Sequence, residues 1–174
     1  MDDIVDSQIG YYRARAAEYD EWWFRTNRYD QGAEKNAVWF AEVAEIEAVL
    51  AQAPVRGNAL EIACGTGLWT RYLAPRVDRL LALDAADEPM AIARQRVSAP
   101  HVTYLKADIF SWQPSERYDF IFFGFWISHI PRAQWPAFWA LLKSALAPGG
   151  SIFFIDNQGY VSVSYTHLTL PTKA

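Results

Sequence analysis

Cysteine is almost missing from the sequence: Cys64 stands alone among 174 residues. An internal disulfide is excluded, and so is a zinc site of paired thiolates, which leaves Cys64 as a small residue filling space. Histidine is nearly as sparse. His101, His129 and His167 are scattered among the acids without ligand spacing, so no metal is expected. An excess of base is lacking as well. A formal net charge of -4 and a pI near 5.3 argue against a nucleic-acid partner, which would call for a basic stripe. Arg71, Arg76, Arg79, Arg94 and Arg96 fall in separate segments and read as solvated faces. No apolar run reaches the length of a membrane span, and the acidic opening Met1-Asp2-Asp3 is unlike a signal peptide. The expectation is a cytoplasmic protein with no membrane partner.

What the chain has in quantity is apolar and aromatic surface, 52% and 16% of its residues, enough for a sizeable single-domain core. Over 11–29 the rings Tyr11, Tyr12, Tyr19, Trp22, Trp23, Phe24 and Tyr29 interleave with Arg13, Arg15, Arg25 and Arg28. The spacing of Tyr12, Ala16 and Tyr19 predicts one short helix and then an aromatic turn, a cap over the edge of a sheet. Over 33–52, Trp39, Val43, Ile46 and Leu50 recur on a helical period while Glu42, Glu45 and Glu47 point elsewhere, which predicts an amphipathic helix. Beyond Pro54 and Gly57-Asn58, strands and helices alternate, the signature of a parallel sheet with crossover helices. Strands are predicted over 60–63, 80–83, 102–105, 120–123 and 152–155. Among the helices, one starts at 69 and ends at Pro75, and one runs over 90–97 with Pro89 at its first position. A third spans 136–146, with Trp135, Phe138 or Trp139, Leu142 and Leu146 on one face and Pro148-Gly149-Gly150 as its stop.

The chain is organised around Leu60-Glu61-Ile62-Ala63-Cys64-Gly65-Thr66-Gly67, a buried strand running into a glycine loop. Gly65 and Gly67 permit a sharp turn and let a ligand approach where a side chain would collide, and the next helix offers free N–H groups. Alone, such a loop suits an ordinary strand-to-helix corner equally well. Ligands of these sheets bind beyond the carboxyl ends of the strands, so the polar residues there carry the reading. Asp84, after the second strand, either accepts both hydroxyls of a ribose or caps a helix. Asp108 can accept from an adenine amino group while Ile109 covers the ring. Glu61, a carboxylate inside a buried strand, needs donors from a zwitterionic ligand or from loop N–H groups. His129 leaves the fourth strand at the mouth of the pocket and is either a general base or a histidine bonded to nearby backbone. Phe122, Phe123, Phe125 and Trp126 suggest an aromatic-lined acceptor pocket.

In these residues the sequence resembles the class I S-adenosylmethionine-dependent methyltransferases. Glu61 to Gly67 matches their E/D-x-x-x-G-x-G loop, Asp84 the acid after strand two, and Ala107-Asp108-Ile109 the adenine-binding acid. Tyr118-Asp119-Phe120-Ile121 matches the fourth strand, and Leu146-Ala147-Pro148-Gly149-Gly150 the approach to the fifth. The resemblance implies an α/β, Rossmann-like, doubly wound and mostly parallel sheet in the order 3-2-1-4-5, with an N-terminal helical cap. It implies S-adenosylmethionine as cofactor, S-adenosylhomocysteine as product and a small molecule as methyl acceptor. Tyr12 and Tyr19 would close over a cofactor held by Glu61, Ala63, Gly65, Gly67, Asp84, Ala85, Met90, Asp108, Ile109 and Phe123. Trp22 or Trp23 can serve as Tyr12 and Tyr19 do, since an aromatic face suits a sulfonium. An alternative is a nicotinamide-dependent oxidoreductase, against which Thr70 stands where a third glycine or alanine belongs. A silent cofactor-binding module is another.

The domain is expected over 1–161, with its cap over 1–32 and its core over 33–156. Family members continue past strand five into a helix and a final strand pair, which the remaining residues are too few to build, so that pair is expected to be missing or incomplete. Val161, Val163 and Tyr165 alternate with Ser162, Ser164 and Thr166, enough for one edge strand. Residues 164–172 also resemble translated adapter sequence found at the ends of some metagenomic gene models. The expectation is that native sequence stops near Val161 or Ser162, that 162–174 is foreign, and that strand five shows an uncovered edge.

Overall fold

Alternate residues of each central strand face two separate apolar layers, and this sets the architecture. In β4 (Tyr118–Gly124), Phe120 and Phe122 point to one side of the sheet and Ile121 and Phe123 to the other, all four buried. The parallel sheet is completed by β1 (Asn58–Ile62), β2 (Arg79–Asp84), β3 (Val102–Lys106) and β5 (Leu146–Gln158). β6 (Ser162–Thr169) runs antiparallel along β5, so the order is β3-β2-β1-β4-β5-β6. The structure is a computed structural model and describes residues 16–158 and 162–169. Its parallel part has the expected 3-2-1-4-5 order of a Rossmann-like α/β fold.

One face of the sheet is covered by α1 (Ala16–Phe24), α2 (Ala33–Gln52), α3 (Thr70–Leu73) and α4 (Asp87–Arg96). α2 spans the predicted residues, and its stripe of Trp39, Val43, Ile46 and Leu50 is buried in one cluster with Phe120, Phe122 and Phe153. On the other face α5 (Trp135–Ala145) packs Phe138, Leu142 and Ala145 against Leu60, Ile121 and Phe123. Each fully buried ring or aliphatic side chain here contributes about 1.5–3 kcal/mol.

Several boundaries differ from the sequence reading. α4 begins at Asp87, two acids ahead of Pro89, because acidic residues suit the positive end of a helix. Pro75 does not end the chain's turn after α3 but sits inside a 3-10 turn, Ala74–Arg76. Trp135 is 40% exposed and donates its indole N–H to the Ile130 carbonyl at 3.1 Å, while Phe138 rather than Trp139 is the buried ring. No helix links β3 to β4. Pro148-Gly149-Gly150 lies within β5 as its irregular part, where the register jumps between Tyr118 opposite Leu146 and Phe120 opposite Ser151. The open edge expected at strand five is paired with β6 from Ser151 opposite Thr169 to Gln158 opposite Ser162. Nor are the arginines merely solvated. Arg76 donates to the carbonyls of Leu50, Ala51 and Ala53 at 2.7, 3.1 and 2.7 Å, closing the C-terminal end of α2.

Candidate active site

A cavity of about 400 Å³ opens beyond the carboxyl ends of β1, β2 and β4, the size range of small-molecule sites. Two features of the backbone shape it. Ala63, just after β1, and Phe125, just after β4, both line it and both hold left-handed φ values, 55° and 54°, which a side chain adopts only when its surroundings over-determine it. Nothing in the residue types announces either strain.

The two loop glycines turn out to do different things. Gly65, φ 54°, lines the cavity, and a side chain added to it would meet nothing within 4 Å: its bare backbone is open to a ligand. Gly67, φ 79°, is not on the wall. A Cβ there would come within 3.0 Å of Ala93, so its smallness seats the loop against α4.

Asp84 ends β2 on the cavity wall, its Oδ2 accepting from Gly65 N at 2.8 Å and its Oδ1 from Ala86 N at 2.9 Å. Each carboxylate oxygen has a further lone pair to offer. Burial pushes the Asp84 carboxyl above its ordinary value, and the N–H groups of Ala86, Gly65 and Ala85 pull it back. Asp108, past the end of β3, lines the cavity with Ile109, and its Oδ1 accepts from Phe110 N at 3.0 Å.

Glu61 is 1% exposed and off the wall, under the loop. The donor it finds is the Thr70 hydroxyl at 2.7 Å, not a loop N–H. Burial raises its carboxyl to about 8, against the pull of Thr70 and with a smaller push from Asp84. Cys64 beside it is also held as the thiol, its acidity suppressed by burial and by those two acids.

Much of the rest of the cavity wall is aromatic. Tyr19 and Trp22 from α1, Tyr29, Trp69, Phe110, Phe125 and Trp126 all reach it. Trp23, the other candidate beside Trp22, is instead buried in the core against Trp39 and Trp69, with ring centroids at 5.7 and 5.2 Å. His129 also lines the cavity, on the 3-10 turn Ile127–His129. That turn is fixed from β5: Asp156 accepts from Ser128 N at 2.6 Å and from Ser128 Oγ at 3.0 Å.

Of the residues expected around a cofactor, Tyr19, Ala63, Gly65, Asp84, Ala85, Asp108 and Ile109 are thus brought together, with His129 near them. Met90 and Phe123 are not on the wall. Met90 is buried with Cys64 and Ala82, and Phe123 faces the opposite layer, 5.5 Å from Phe138 ring to ring. Tyr12 lies outside the described residues. Sequence reasoning missed Glu18, Trp69 and Asp156, which reach the cavity only through tertiary packing. Among the described residues no group of His, Cys, Asp or Glu is placed to hold a metal ion, and no helix is long and apolar enough to cross a membrane.

Comparison with known proteins bears on this geometry. The sequence pattern of the family described as "Methyltransferase domain" matches residues 59–150. The chain is 33% identical over 124 residues to Nodulation protein S of Rhizobium tropici, covering 69% of this chain and 51% of that protein. It is 33% identical over 103 residues to a trans-aconitate 2-methyltransferase of an Acidovorax species, strain JS42, covering 56% and 37%. The chain therefore spans about half the length, or less, of these curated relatives. Among solved structures, a DhpI-SAM-HEP complex superposes with a TM-score of 0.72 at 35% identity, over 91% of this chain and 68% of that one. The N-methyltransferase NodS from Bradyrhizobium japonicum WM9 superposes with a TM-score of 0.62 at 26% identity, over 68% and 70%.

Proposed function

Because this chain belongs to the methyltransferase-domain family, the class I S-adenosylmethionine-dependent kind, we propose that it moves a methyl group from S-adenosylmethionine to a small-molecule acceptor by direct displacement. The observation that carries the reading is the union, on one cavity wall, of the bare Gly65 backbone with the Asp84 and Asp108 carboxylates. These are the groups suited to an amino-acid end, a ribose and an adenine. The nicotinamide alternative loses its ground with that family membership.

When bound, S-adenosylmethionine supplies an already activated methyl on a positive sulfonium, so the protein's task is chiefly alignment. Asp84 would hold the ribose hydroxyls with the lone pairs that Gly65 and Ala86 leave over, and Asp108 would hold the adenine, with Ile109 against its face. Glu61, buried beneath the loop and off the wall, would act on the loop rather than on the cofactor, holding it through the Thr70 hydroxyl. Tyr19 and Trp22 from α1 would close over the cofactor, and their aromatic faces suit a cation. His129, on a turn held by Asp156, is assigned to the acceptor, where it would take the proton that the acceptor loses.

Titration calorimetry with S-adenosylhomocysteine and a screen of metabolite acceptors tests the proposal. Asp84→Ala is expected to weaken binding by about 1.5–3 kcal/mol, the range for a hydrogen bond to a charged acceptor. His129→Ala is expected to lower turnover with cofactor affinity intact. Unchanged affinity in a folded Asp84 variant removes Asp84 from the site, and a cofactor constant that moves while turnover does not removes the role given to His129.

A further inference from the structure

The cap helix is tied to the glycine loop by a connection that the cofactor chemistry leaves unused. Thr66, 1% exposed between Gly65 and Gly67, donates its hydroxyl to Asp20 Oδ1 of α1 at 2.7 Å. Arg96, in the last turn of α4, reaches the same place: it pairs with Asp20 Oδ2 and donates to the Thr66 carbonyl, and to Thr66 Oγ1 at 3.0 Å. The side chains of Arg96 and Asp20 are 19% and 25% exposed, so the pair is only partly open to water. Three separate segments thus converge, and each also supplies the cavity wall: Tyr19 and Trp22 flank Asp20, Gly65 adjoins Thr66, and Pro89 lies on the helix that Arg96 ends.

We infer that Asp20, Thr66 and Arg96 are positioning residues that form a clasp, holding α1 shut over the cofactor end of the cavity and setting how long the cofactor stays. The inference rests on the cofactor reading given above. Physical considerations favour this use of the contact over a purely structural one. α1 is a nine-residue helix, too short to hold its own shape in water, so its position depends on what it is fastened to. Its inward rings, Trp22 and Trp23, pack on Trp39 and Phe125, which grips its C-terminal half. The clasp grips it beside Tyr19, where the cavity is. Opening there exposes the cofactor end without unpacking the core, a local opening of low cost compared with global unfolding. Closure adds contacts after a ligand has entered, so its loss falls on the rate of departure.

Surface plasmon resonance with the full chain immobilised and S-adenosylhomocysteine in flow separates the two rates. Asp20→Asn and Arg96→Gln are each expected to release the ligand about tenfold faster, the loss of one charge-assisted contact, with association no slower and thermal unfolding close to the wild type's. The double variant is expected to release no faster than either single one, because the contact is shared. Thr66→Ser, which keeps the hydroxyl, is expected to behave as wild type, and Thr66→Val to join the fast-releasing set. Unaltered release in folded variants overturns the clasp while leaving the cofactor reading intact. So does slower association with a matching fall in thermal stability, which marks general damage. A wild-type chain that takes up no S-adenosylhomocysteine overturns both.

Discussion

Glu61 carries a proton where most glutamates do not. With its folded value raised to about 8 from 4.5, the native chain binds a proton that the unfolded chain has released across that interval. The associated stability is fully present below pH 4.5 and is lost as pH rises through about 8. Glu61→Gln, which keeps the shape without the titration, is expected to hold its melting temperature between pH 5 and 9 better than the wild type does. Asp84, shifted in the same direction, contributes to both proteins and leaves the difference to Glu61. Parallel melting curves across the range would show that Glu61 is not neutral in the fold. At this scale the sequence was informative where chemistry follows a short local pattern: Gly65, Asp84 and Asp108 stand at or just beyond strand ends, and the topology brings strand ends together. It was silent where a role depends on partners distant in the chain. Asp156 sits in the strand after His129, and only the pairing of β4 with β5 makes it the anchor of the Ser128 turn. Met90 and Phe123 do not reach the cavity wall for a related reason, since a place in a helix's first turns or near a strand end does not say which way the side chain faces.

Among the elements, α2 shows how a helix can be fully legible and yet incompletely explained. Its apolar period placed it, but an end also leaves carbonyls short of donors, and locally only the Ala53 N–H answers, shared between Val49 and Leu50. Arg76, in the 3-10 turn after α3, supplies the rest. Arg76→Ala is expected to cost about 1–2 kcal/mol of stability, read by denaturant unfolding, because hydrogen bonds from a charged donor are lost at a partly exposed site. Affinity for S-adenosylhomocysteine should be untouched, as the contact lies away from the cavity; a fall in affinity with no loss of stability would contradict the assignment. α4 and β5 were read less well. Proline and glycine read as boundaries in the sequence, whereas Pro89 is tolerated in a first turn and Gly149 at φ 75° lets a strand continue through an irregular stretch.

At the scale of the whole molecule, the sheet ends in β3 on one side and β6 on the other. We propose that the cofactor site does not need residues 162–174. Among the described residues β6 pairs with β5 alone, while the groups assigned to the cofactor lie at or past the ends of β1, β2 and β3. Deleting 162–174 is expected to leave S-adenosylhomocysteine affinity unchanged and to increase light scattering, since β5 would then offer its unpaired edge to other chains. Loss of cofactor binding on deletion would make the segment integral to the site. The aromatic wall has a consequence of another kind. Trp22, Trp69 and Trp126 line the cavity, three of the eight tryptophans of the chain, whereas Trp39 is buried with its N–H tied to the Trp23 carbonyl. Indole emission follows the polarity and motion around the ring, so a molecule displacing water from this cavity alters the light from one group of tryptophans against a steady background from the others. The protein carries its own optical reporter of whether its site is filled.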